Sequence, residues 1–224
     1  MSASFDYRQV LSPSFVETGS YRGDGIAQAL GAGFETVHSI EIADHWINHC
    51  RQRFAREIAD GRLVLWQGDT LDVLPRVIAH LSRPATFWLD AHSHPHNTGT
   101  EKSAVNCPLY HELGAIAASP IRSHRVLIDD LRLITDPRSW GGHDVTFSGM
   151  LERLRAINSN YAFAFLDGLI EKDVLVARVE TGMRTDQATL DAFLSDPLSQ
   201  SIRSARSALA CEVDPMSRTV FPRI

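Results

Sequence analysis

The chain reads Glu17-Thr18-Gly19-Ser20-Tyr21-Arg22-Gly23-Asp24-Gly25 where its first short apolar run, Ser14–Thr18, comes to an end. The glycines are spaced G-x-x-x-G-x-G, and glycine lets a chain turn sharply and lets a ligand approach the backbone. This spacing differs from G-x-G-x-x-G, which brings a pyrophosphate to a helix N-terminus in dinucleotide-binding domains. The segment therefore predicts a strand that ends in a ligand-binding loop.

Short runs of β-branched and aromatic residues alternate with longer segments of helical spacing along the next 130 or so residues. Strands are predicted at 14–18, 36–42, 63–67, 85–89 and 124–128, and helices at 25–30, 44–59, 71–81, 108–118 and 147–157. This order implies right-handed crossovers and a parallel sheet covered by helices. Two more strands, at 161–166 and 173–179, are joined through Gly168 by a link too short for a helix, so they should pair antiparallel.

Five strand–helix units followed by a hairpin resemble the class I fold of S-adenosylmethionine (SAM)-dependent methyltransferases. The resemblance covers residues 13–180 and implies an α/β, Rossmann-like architecture with helices on both faces. The implied sheet has seven strands and is mostly parallel, with a C-terminal hairpin strand that pairs antiparallel within it. The glycine loop resembles motif I of this family, which implies that Glu17 and the Gly19 backbone face the amino-acid part of SAM.

Acidic residues also follow the second and third predicted strands, where ligands bind in open α/β sheets. Glu41 follows strand two and is suited to accept both ribose hydroxyls, although a dinucleotide-binding domain would use an acid there as well. Asp69 follows strand three, where the family contacts the adenine amino group, and it also suits a helix N-cap. The expected donor-binding residues are Glu17, Thr18, Gly19, Ser20, Gly23, Gly25, Glu41, Gly68, Asp69, Thr70 and Asp90.

Three further carboxylates follow strands four and five. Asp90 ends the first of these strands, and Asp129 and Asp130 end its neighbour. Three like charges cannot share a small site unless a cation neutralises them or a pKa rises. Mg²⁺ is the usual cation, because it takes a few carboxylates and keeps open positions for substrate oxygens.

This arrangement resembles the magnesium-dependent, macrocin-type sugar O-methyltransferases of antibiotic pathways. The resemblance implies that Asp90, Asp129 and Asp130 bind Mg²⁺ and that His92 is the catalytic base beside Asp90. It further implies methyl transfer from SAM to a hydroxyl of a small molecule of sugar or natural-product type. The chain departs from the family in reading Asp90-Ala91-His92 where the family has Asp-Gly-Asp.

The residue types suit that chemistry, because a hydroxyl is a poor nucleophile until it loses its proton. A metal ion bound to the acceptor oxygen would stabilise the developing alkoxide. His92 with a pKa near its free value of about 6.5 would accept the proton at neutral pH.

Two alternatives stay open at this point. A metal-dependent hydrolase could use the alternating cluster Asp90, His92, His94 and His96 to hold Zn²⁺. A protein that binds SAM without catalysis would keep the same loop and acids. The identity of the acceptor, and the choice between oxygen and nitrogen, also stay open.

Composition excludes several classes of protein. The net charge of −5 among 224 residues gives no basic field for nucleic acid or an anionic membrane surface. Three scattered cysteines, no N-terminal apolar signal core and no apolar run of about 20 residues suit a cytoplasmic protein. Residues 1–180 are expected to form the SAM-binding domain. Residues 181–224 are expected to form a helical extension that packs on the domain or makes a homodimer contact.

Overall fold

A computed structural model describes residues 6–92, 103–134, 139, 144–179 and 190–191. Its sheet contains seven strands: β1 Ser14–Thr18, β2 Thr36–Glu41, β3 Leu63–Gln67, β4 Ala85–Leu89, β5 Arg125–Ile128, β6 Tyr161–Leu166 and β7 Val174–Val179. Their order is β3-β2-β1-β4-β5-β7-β6. Strands β1 to β5 pair parallel, whereas β7 pairs antiparallel with both β5 and β6. The predicted α/β, Rossmann-like sheet with an antiparallel hairpin strand is confirmed.

Helices surround the sheet. The described residues form α1 Asp24–Ala32, α2 Asp44–Arg53, α3 Ala55–Ala59, α4 Thr70–Ala79, α5 Leu109–Ala117, α6 Leu131–Ile134 and α7 Phe147–Ile157. The expected single helix over 44–59 is wrong, because the backbone leaves the helical region at Phe54. The Phe54 ring is buried in the core and lies against Gly23, so the break lets the ring pack beneath the glycine loop.

The central strands carry the core and align their carboxyl ends. Every residue of β4 is buried, as expected for a parallel strand covered on both faces. Thr18 is paired in register with both Ile40 of β2 and Leu89 of β4, and Leu89 with Ile128 of β5. The loops that follow these strands therefore emerge side by side at one edge of the sheet.

The chain divides into two compact units, Met1–Thr185 and Asp186–Ile224. Of the second unit the structure describes only Leu190 and Asp191, so the expected helical extension over 181–224 otherwise lies outside the described residues. None of the helices in the described ranges is long and apolar enough to cross a membrane.

A buried histidine supports the junction between β4 and β5. His124 is fully buried; its Nδ1 accepts a hydrogen bond from the Ala85 amide at 3.0 Å, and its Nε2 lies 3.0 Å from the Ser119 hydroxyl. An acceptor at Nδ1 means that the ring is neutral. Burial lowers the pKa of His124 to about 4, so protonation opposes the fold.

We predict that the free energy of unfolding falls as the pH is lowered from 6.5 to 4. In that range the unfolded chain binds a proton at this histidine before the folded chain does, which costs about 1.4 kcal/mol per pH unit at most. Urea denaturation at several pH values should show a shallower dependence in His124→Asn, whose side-chain oxygen can replace Nδ1. His38 is also buried but is present in both proteins, so the difference between them isolates His124. An equal pH dependence of the unfolding free energy in both proteins would contradict a buried, neutral ring at His124.

Candidate functional site

Segments that follow five different strands meet at the carboxyl edge of the sheet. Register places the loops after β1, β4 and β5 next to one another, and the Asp129 amide donates to the Leu89 carbonyl at 3.3 Å. The Gly68 amide donates to the Glu41 carbonyl at 2.9 Å, which joins the ends of β2 and β3. Most of the residues predicted from the sequence therefore belong to one continuous region.

Gly19 allows β1 and β4 to approach each other. Its φ of +88° is in the left-handed region, and a β-carbon there would lie 2.7 Å from the Asp90 carbonyl oxygen. The amides of Gly19 and Ser20 donate to the Ile40 carbonyl at 2.9 and 3.1 Å, which fastens the loop to β2. The Asp90 amide in turn donates to the Thr18 hydroxyl at 3.1 Å. These contacts bring the glycine loop directly against the start of the acid cluster.

Glu17 supports the loop from inside. Its carboxyl is buried, accepts a hydrogen bond from the Ser39 hydroxyl at 2.6 Å, and occupies the space that a β-carbon on Gly25 would need. The Ser20 and Ser39 hydroxyls lie 2.6 Å apart, so the loop is tied to the same carboxyl through Ser39. Burial raises the pKa of Glu17 to about 8. The structure thus shows a loop-supporting carboxyl at this position, and contact with a ligand stays a prediction.

Glu41 is held between two loops. One carboxylate oxygen accepts from the Tyr21 amide and the other from the Ala43 amide, each at 2.8 Å. Each oxygen of a carboxylate has two lone pairs, so both can accept a further donor. Tyr21 adopts a φ of +46°, unusual for a residue with a side chain, to make its bond.

Asp69 caps α4, as its position after β3 suggested. Its Oδ1 accepts from the Leu71 amide at 3.0 Å, and its Oδ2 accepts from the Ala104 amide at 3.3 Å. The neighbouring Thr70 is buried at the first position of α4. The N-cap role is confirmed, and the proposed contact with adenine stays a prediction.

His92 lies between two carboxylates. Its Nε2 is 2.7 Å from Asp90 Oδ1 and 3.0 Å from Asp130 Oδ2. Burial alone would lower the pKa of His92, but the two carboxylates outweigh burial and raise it to about 10. The expectation of a pKa near 6.5 is therefore corrected, because in this arrangement the ring holds its proton at neutral pH.

A buried guanidinium neutralises the other side of the cluster. Arg132 contacts Asp130 through Nη2 and Asp173 through Nη1, and its amide donates to Asp173 at 3.1 Å. His92 and Arg132 together hold the pKa of Asp130 below its usual range despite burial. Burial and the neighbouring Asp90 raise the pKa of Asp129. The repulsion expected among the three carboxylates is thus reduced by the positive charges of His92 and Arg132.

Among the described residues, two groups of side chains have ligand atoms within 4.8 Å of one another: Asp90, His92 and Asp130, and Asp129, Asp130 and Asp173. The expected metal set, Asp90, Asp129 and Asp130, is divided between them. The second group already contains the Arg132 guanidinium, whose charge opposes a metal ion. The first group offers two carboxylates and an imidazole, and it fits a divalent cation in exchange for the His92 proton.

Besides Asp173, a second buried carboxyl at this edge was not predicted from the sequence. Glu112 lies on α5 and is 3% exposed. It accepts hydrogen bonds from the Thr18 hydroxyl and, at 3.1 Å, from the Thr70 hydroxyl. Burial raises its pKa to about 7. Its position on the helix could have revealed it. The buried face of this helix consists of Leu109, Glu112, Leu113 and Ile116. An acid on an otherwise apolar face indicates a buried polar contact or a functional role.

Glu112 lines a cavity beneath the ends of β4 and β5. It is a small, half-open pocket whose space of about 220 Å³ includes open solvent, and its walls include Ala91, His92, Cys107, Glu112, Asp129 and Ile134. Apolar walls with a few converging polar groups are typical of small-molecule sites.

No family model matches the chain, and no curated protein matches its sequence. Solved structures do match. An O-methyltransferase from Bacillus cereus in complex with S-adenosylhomocysteine (SAH) is similar at a TM-score of 0.53 and 17% identity, over 78% of this chain and 77% of that one. The SAH-bound methyltransferase PaMTH1 from Podospora anserina is similar at a TM-score of 0.50 and 14% identity, over 80% of this chain and 76% of that one. The chain has the Rossmann-like methyltransferase fold.

This fold brings most of the predicted site residues to one edge of the sheet, from Glu17 near the end of β1 to Asp130 after β5. His94 and His96, which the hydrolase alternative requires, lie outside the described residues. The expectations of a homodimer contact and of a cytoplasmic location stay predictions.

We predict that Gly19→Ala lowers the free energy of unfolding by about 1–3 kcal/mol, because it combines a left-handed backbone with a collision against the Asp90 carbonyl. Gly31→Ala is the control. A β-carbon on Gly31 meets nothing within 4 Å in α1, so this change should stabilise the protein by about 0.5–1 kcal/mol. Urea denaturation of both variants measures the difference, and equal stabilities would contradict the close packing of β1 on β4.

Proposed function

We propose that this chain is a SAM-dependent methyltransferase that methylates a hydroxyl of a small molecule of sugar or natural-product type, with assistance from a divalent metal. One observation carries the proposal. The glycine loop with Glu41 lies directly beside the acid cluster at Asp90, through the contacts of Thr18 and Gly19. A donor site and a site for activating an acceptor are thus adjacent, as group transfer requires. The SAH bound in both similar structures agrees with this proposal.

In the proposed complex SAM lies along the carboxyl ends of β1, β2 and β3. The Gly19 backbone faces the methionine part, the remaining lone pairs of Glu41 accept hydrogen bonds from the ribose hydroxyls, and Asp69 accepts one from the adenine amino group. Thr18, Gly23, Gly25, Gly68 and Thr70 shape the surrounding backbone. The sulfonium methyl then points towards Asp90 and the cavity.

The acceptor oxygen attacks the sulfonium methyl in line, so a carbon–oxygen bond forms as the carbon–sulfur bond breaks and SAH leaves. The hydroxyl proton passes to the pair formed by Asp90 and His92. A divalent cation held by Asp90, His92 and Asp130 would supply Lewis-acid stabilisation of the oxyanion when bound.

The donor proposal predicts a loss of SAM affinity in Glu41→Gln. Replacing charged by neutral hydrogen bonds to the ribose costs about 1.5–3 kcal/mol, or ~10- to 100-fold in the dissociation constant. The matched control is Glu35→Gln, which removes an exposed acid that pairs with Arg83 before β2, at the opposite edge of the sheet. Calorimetry with SAM measures both variants. Equal affinities for SAM would refute the role of Glu41.

The metal proposal predicts that Mg²⁺ or Mn²⁺ binds to the protein with one site per chain. Asp90→Asn should abolish that binding, whereas Asp72→Asn, an exposed acid in the first turn of α4, should leave it unchanged. Isothermal titration with each metal ion gives the stoichiometry. Absence of binding in the unaltered protein would mean that His92 and Arg132 are the permanent counter-ions of the cluster.

A further inference from the structure

Glu112 is placed deep in the functional region, where the charge of His92, which lines the same cavity, acts on it without forming an ion pair. Its carboxyl is 3% exposed, and none of the ion pairs found among the described residues includes it. Two hydroxyls, those of Thr18 and Thr70, satisfy its hydrogen bonds. Hydroxyl donors carry no net charge, and His92 is already paired with Asp90 and Asp130, so a carboxylate buried here is incompletely compensated until a further cation approaches it.

The surroundings of Glu112 show where such a cation would lie. The carboxyl lines the cavity together with Ala91 and His92 from the end of β4 and Asp129 from the end of β5. On the opposite side it is joined through Thr18 to the Asp90 amide, at the point where the glycine loop touches β4. Glu112 is therefore a buried carboxyl that adjoins the proposed donor loop through Thr18 and the proposed acceptor site through the cavity.

We propose that Glu112 is a donor-binding residue that recognises the positive charge of the SAM sulfonium, and so distinguishes the charged donor from its neutral product. The inference rests on the proposed function, since the methyl must pass between the donor loop and the Asp90 cluster. SAM and SAH share the adenosine and the amino-acid group and differ only in the methyl and the charge at sulfur. A carboxylate next to that sulfur favours SAM, and its attraction disappears once the methyl has left.

This role has a consequence for turnover. Attraction to the sulfonium stabilises the reactant more than the transition state, in which the positive charge on sulfur is already decreasing. Glu112 should therefore act on KM for SAM and on release of SAH, and it should not raise kcat. A residue that only supports the fold would change the binding of both ligands alike.

The test is the ratio of the SAH to the SAM dissociation constant, measured by calorimetry on the full chain. A charge contact in a buried site is expected to be worth at least ~10-fold in affinity. We expect the ratio to fall about tenfold or more in Glu112→Gln, which keeps size and hydrogen-bonding capacity but removes the charge. Glu112→Asp, which keeps the charge, should retain a preference for SAM even if both affinities fall.

Glu17→Gln is the matched control, because Glu17 is an equally buried carboxyl near the same loop but lies beneath Gly25 and against Ser39. It should shift SAM and SAH by the same factor. An unchanged ratio in Glu112→Gln, with both ligands still bound, overturns the inference and leaves the proposed function standing. Failure of the unaltered protein to bind either ligand overturns both.

Discussion

Gly19 lies so close to the Asp90 carbonyl that a β-carbon would be 2.7 Å from the oxygen, and the Thr18 hydroxyl accepts the Asp90 amide beside it. This contact between the ends of β1 and β4 determines the positions of the other functional groups. It brings the glycine loop against the acid cluster, and through Thr18 it also fixes the Glu112 carboxyl. Any side chain at residue 19 would separate these groups, which explains why a left-handed glycine stands there.

Carboxyl groups are concentrated at this edge of the sheet, and the fold compensates them by different means. Glu41 accepts two backbone amides, and Asp130 is flanked by His92 and Arg132. Glu17 and Glu112 have only hydroxyl partners, and burial raises the pKa of both. An edge of this kind attracts a cationic ligand, and a sulfonium donor is cationic until it has transferred its methyl group.

Much of the fold could be predicted because buried parallel strands leave a strong local pattern. The bounds of β1, β3, β4, β6 and α7 agree with the prediction residue for residue. The break at Phe54 could not be predicted, since it follows from packing of that ring beneath Gly23. The candidate site shows the same division: carboxylates at strand ends follow from topology, whereas the position of His92 between Asp90 and Asp130 depends on side-chain geometry. The raised pKa of His92, and the contact of Arg132 with Asp173, depend on contacts that spacing along the chain does not encode.

We propose that a SAM-type donor lies along the carboxyl ends of β1 and β2 with its sulfur towards Glu112. A crystal structure of the protein soaked with SAH tests this most directly. In that crystal the ribose hydroxyls should bind Glu41, and the sulfur should lie at the mouth of the cavity, between Gly19 and Glu112. SAH bound elsewhere, or bound with its adenine in that cavity, would contradict it.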